Sequence, residues 1–106
     1  MGLRPTDVTD ARQKYAKVFD KSPSECFDRT LQYLKSINAV ITQLDKKHYF
    51  VVADQFGRIF KQSLETTGVG ILVRPSVENK AEILVASDNY NLAESVSIVL
   101  FKQLEK

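Results

Sequence analysis

A chain of 106 residues with 43% hydrophobic and 26% charged side chains can bury one core but not two, and this composition excludes the disordered, collagen-like and disulfide-rich classes. Fifteen Lys and Arg against 13 Asp and Glu leave a net charge of +2. Bases and acids are interleaved, so the concentrated positive field that nucleic-acid binding requires is missing. One cysteine excludes an intrachain disulfide, and the apolar runs are too short for a membrane span.

In chain order, residues 1–11 read as a flexible N-terminal segment, polar and loop-like from Leu3 to Asp10, and residues 12–106 as a single α+β domain. The run from Arg12 to Phe19 reads as a strand with Tyr15, Lys17 and Phe19 on one face and Ala16 and Val18 on the other. A helix is predicted to start after Ser22, which is placed as N-cap, with Pro23 at the first helical position and Glu25 closing a capping box. Phe27, Leu31 and Leu34 keep the 3.6-residue period, and Asn38 suits the left-handed conformation that ends a helix.

Ala39–Asp45 and Tyr49–Asp54 predict an antiparallel hairpin around Lys46-Lys47-His48. Phe56, Ile59, Phe60 and Leu64 recur at helical spacing and predict a short helix or irregular segment over one edge of the core. Then come Gly68 and Gly70, one residue apart before an apolar run. A phosphate-binding loop needs glycines that open a helix, or a following Gly-Lys-Ser/Thr, and here Ile71-Leu72-Val73-Arg74-Pro75 follows instead. The glycines are therefore read as strand residues pointing to one face, where a missing side chain permits a bulge, a bend or the close approach of a helix. A polar turn, Ser76 to Asn79, leads to a strand from Lys80 to Ser87. Asn91 as N-cap, with Glu94, opens a last helix to about Glu105, its inner stripe Leu92, Val96, Val99, Leu100 and Leu104, broadened by Ile98 and Phe101. The order β-α-β-β-β-β-α predicts a two-layer α+β sandwich, a mostly antiparallel sheet of about five strands with two helices on one face.

No set of residues points to a catalytic, cofactor or metal site. His48, the single histidine, falls in a lysine-rich turn and reads as solvated, since metal sites and triads need converging partners. Cys26 falls in the first turn, or just past it, of the first predicted helix, where the helix dipole favours a thiolate; the competing reading is a small buried filler. The carboxylates show no pairing suited to acid–base work, with Glu25 and Glu94 read as caps. Tyr15, Tyr33, Tyr49 and Tyr90 are placed at the rim of the core, with a ligand pocket as the alternative.

Four stretches, Phe19-Asp-Lys-Ser-Pro-Ser-Glu-Cys-Phe-Asp28, Gly57-Arg-Ile-Phe-Lys-Gln62, Glu65-Thr-Thr-Gly-Val-Gly-Ile71 and Asn89-Tyr-Asn-Leu-Ala-Glu94 through Leu100-Phe-Lys-Gln-Leu-Glu105, carry a resemblance. Over Val18–Lys106 the chain resembles a group of small bacterial lipoproteins of unknown function with the same order of elements. The resemblance implies an envelope protein facing the periplasm, held to the membrane only through a lipid on a cysteine upstream, with a cytoplasmic location as the alternative. No residue here takes the role of that cysteine, and Cys26, inside a helix, is not a candidate. The function expected is a non-catalytic binding or structural module that meets a protein partner, or a second copy, through a sheet edge or the sheet face left uncovered. The alternative is a small-molecule binding domain with a pocket between the last helix and the sheet near the glycines. An enzyme using Cys26 or His48 ranks last.

Overall fold

The computed structural model describes residues 3–55 and 68–105. The elements are α1 (Pro5–Thr9), β1 (Tyr15–Phe19), α2 (Pro23–Ser36), β2 (Val40–Asp45), β3 (Phe50–Asp54), β4 (Val69–Pro75), a single 3₁₀ turn (Val77–Asn79), β5 (Ala81–Ser87) and α3 (Tyr90–Leu104). The segment expected over Phe56–Leu64 lies outside the described residues.

Five strands form one antiparallel sheet in the order β1-β5-β4-β3-β2, and α2 and α3 cover one of its faces. This is the two-layer α+β sandwich that the order of elements predicts. Strand alternation decides which residues meet the helices. Val51, Ala53, Val69, Ile71, Val73, Ala81, Ile83 and Val85 point to the helix side and join Phe27, Leu34, Leu92, Val96, Leu100 and Leu104 in the main core. The faces assigned to β1 hold: Tyr15 and Phe19 pack with this core, while Val18 is exposed on the other side.

The helix starts are fixed by their caps. Ser22 Oγ accepts from the Glu25 backbone N–H at 3.2 Å, and Pro23 stands at the first helical position. The Glu25 carboxylate pairs with Arg29 at 3.3 Å. At the other end Asn38 takes φ 59°, the left-handed geometry expected of it. In α3 the cap is Asn89, two residues before the expected Asn91. Its side chain accepts from the Leu92 N–H at 3.1 Å, so the helix opens at Tyr90. The inner stripe holds at Leu92, Val96, Leu100 and Leu104, but Ile98 is 52% exposed.

The N-terminal segment departs from expectation. The sequence predicts residues 1–11 to be flexible and outside the domain, yet α1 lies on the second face of the sheet with Val8 only 1% exposed. Val8, with Leu3 and Ala11 beside it, packs on Phe50, Val52, Leu72, Leu84 and Ala86. Burying a valine in this way is worth roughly 1.5–3 kcal/mol. The Leu3 N–H donates to Gln43 Oε1 and Gln43 Nε2 donates to the Leu3 carbonyl, both at 2.8 Å, so the side chain of Gln43 pairs with main chain as a neighbouring strand would. The strap formed by residues 3–11 thus reaches from β5 to β2, across the centre of the face expected to stay uncovered.

Candidate functional site

The two glycines resolve as strand geometry. Gly70 sits within β4, paired with Val52 on one side and Ala86 on the other, and Gly68 immediately precedes the strand, its carbonyl accepting from Ser87 Oγ at 2.9 Å. A Cβ built on Gly70 would lie 2.8 Å from Val8 Cγ2 and 3.5 Å from the Phe50 ring. Of the three reasons offered for the glycine, close approach of a helix is the one observed. The helix is α1, on the face opposite α3.

The residues weighed for chemistry are scattered. Cys26 is fully buried on the inner side of α2, and its thiol is pushed up from the ordinary 9.0 by desolvation, with Lys21 pulling the other way; it fills the core as a neutral thiol. His48 is exposed in the β2–β3 turn, where its N–H donates to Asp45 Oδ1 at 3.2 Å and its Nδ1 lies 2.7 Å from Asp45 Oδ2. That hydrogen bond holds the Asp45 carboxyl below its ordinary 3.8. His48 therefore closes the turn from outside, exposed, whereas Cys26 is buried in the core. Glu94 caps nothing: it accepts from the Tyr15 hydroxyl at 3.2 Å, tying β1 to α3.

The tyrosines divide. Tyr15 and Tyr49 sit half-buried at the rim as expected, the Tyr49 ring tilted on Phe27 with centroids 5.4 Å apart, and Tyr90 is 51% exposed. Tyr33 is the correction. It is 7% exposed inside the main core, and its buried hydroxyl has no partner among the described residues; desolvation pushes its pKa up to about 12. Its ring also lines an open groove of about 560 Å³ between the C-terminal halves of α2 and α3. A second groove, about 430 Å³, lies between the strap and the β5–α3 junction and is bordered by Asp7, Arg12, Gln13 and Tyr90. Among the described residues, no three His, Cys, Asp or Glu side chains are placed to hold a metal ion, and no helix is long and apolar enough to cross a membrane.

The edges of the sheet differ more sharply than its faces. β1 carries Lys17 at its centre, ion-paired with Glu105 at the C-cap of α3, and Phe19 meets Phe101 of that helix with ring centroids 5.6 Å apart. A charge in mid-strand and an overlying helix are two of the standard protections against edge-to-edge pairing. β2, VITQLD, has neither lysine nor proline and no charge before Asp45; Val40 is 41% and Leu44 47% exposed. Among the described residues it pairs only with β3, which leaves one side of its backbone unladdered. Its single irregularity is a bulge: Ile41 faces Ala53 and Gln43 faces Val52, with Thr42 the extra residue and its hydroxyl donating to the Val52 carbonyl at 3.3 Å. Sequence reasoning found the hairpin but not that β2 is an edge, because strand order depends on which distant strands pair. The low charge of VITQLD was the available signal. No family model matches the chain, and no curated protein matches it either.

Proposed function

We propose that this domain is a non-catalytic binding module of the bacterial envelope, tethered by a lipid upstream, that engages a protein partner by strand addition at β2. The envelope part rests on the resemblance of the four stretches quoted above. The binding part rests on one observation: β2 is a proline-free, lysine-free edge with no charge before Asp45 and with apolar side chains exposed on both faces, whereas β1 is guarded. Such an edge offers main-chain donors and acceptors for affinity and alternate side chains for specificity. Maintaining it carries an aggregation hazard, which favours a use for it.

A photo-crosslinking residue placed at Leu44 in the cells that make this protein should give a discrete protein adduct, while the same residue at Val18 on β1 gives none. Adducts only from Val18, or from Ile98 on the helix layer, would move the binding surface elsewhere and end the strand-addition reading.

A further inference from the structure

We infer that the partner fitted to the β2 edge is a second copy of this chain, β2 pairing antiparallel with β2 about a twofold axis between Thr42 and Gln43; this rests on the edge reading above. The bulge is what makes the strand match itself. In a regular strand of six residues the two ends fall on opposite faces, so pairing about a midpoint between residues would set unlike faces together. In β2 the extra residue Thr42 restores the match. Val40 and Asp45 both lie on the strap face, opposite Asp54 and Phe50, and Ile41 and Leu44 both lie on the helix face, opposite Ala53 and Val51.

The register then follows residue by residue. Val40 meets the second copy's Asp45, Ile41 meets Leu44, and Thr42 meets Gln43, so the half-exposed Leu44 is covered by an apolar neighbour on its own face. No like charges oppose. Lys46 and Lys47 run past the other strand toward Ala39 and Asn38, away from their own counterparts. Because the contact is isologous, both α2–α3 layers fall on one side of a single continuous sheet and both straps on the other.

Sedimentation equilibrium of the full chain tests this. A concentration-dependent dimer is expected, lost in Leu44→Lys, where a charge faces Ile41. Val40→Lys should keep the dimer and tighten it at low salt, since the new lysine faces Asp45. Val18→Lys, on the guarded edge, should change nothing. A second measurement stands apart from any effect of Leu44→Lys on folding: a spin label at Thr42→Cys, beside the axis, should read a label-to-label distance as short as adjacent strands permit, and one at Ile98→Cys a long one. The proposal is overturned by a chain monomeric at every concentration, by a dimer that survives Leu44→Lys, by a dimer broken by Val18→Lys, or by a long distance at position 42. A monomer that still crosslinks from position 44 to a different protein would overturn the self-pairing and leave the edge reading standing.

Discussion

Gly70 and Val8 form a lock that two single substitutions can test together. A methyl group on Gly70 would fall 2.8 Å from Val8 Cγ2, closer than real carbon contacts allow, and the valine side chain is too stiff to swing aside. Gly70→Ala is expected to cost about 1–3 kcal/mol by lifting the strap. Val8→Ala should cost a similar amount by emptying the slot. Combined, the two should cost less than their sum, the new methyl occupying space the valine left, and strict additivity in urea midpoints would show that they do not touch. Tyr33 gives a test in pH. Its pKa of about 12 in the folded chain stands above the ordinary 10.0, so the folded state holds the neutral form. The unfolded chain therefore ionises first as pH rises. Stability should be undiminished below pH 10 and fall by roughly 2 kcal/mol between pH 10 and 12, a loss that Tyr33→Phe abolishes. At neutral pH Tyr33→Phe should be neutral or stabilising by about 1 kcal/mol, because it removes a buried hydroxyl without a partner among the described residues.

Elements were legible where two signals coincided. Ser22 and Pro23 mark one start unambiguously, because proline fits only the first helical positions, and the start is found where the sequence places it. For α3 two asparagines compete, Asn89 and Asn91, and nothing local separates them. The structure chooses Asn89, since starting at Tyr90 turns Leu92 and Ala93 toward the sheet. Asn89→Ala should thus cost about 0.5–2 kcal/mol, and Asn91→Ala, on an exposed helical position, should leave the urea midpoint unmoved. The α1 helix was not legible because one short turn, with Val8 its only buried residue, is too brief to show a helical period. The β2 bulge was invisible for a different reason: it is defined by the partner strand, and VITQLD alone reads as regular.

At the scale of the molecule, the order of elements was enough to predict a sheet with two helices on one face, but a strand such as Phe50-Val51-Val52-Ala53 is buried on both faces, which signals a second covering layer. That layer is the strap, and its path has a mechanical consequence. If the chain is held from its N-terminal side, as the envelope proposal requires, any pull arrives first at Leu3. The load meets the Leu3–Gln43 pair, then the single turn of α1 with Val8 in its slot, and only afterwards β1 and its ladder to β5. Contacts loaded one after another peel at low force, whereas a ladder loaded along its length shares the strain. Residues 3–14, once freed, extend to at most about 40 Å. The strap would act as a shock absorber between anchor and sheet, giving way and re-seating while the five strands and their core stay whole.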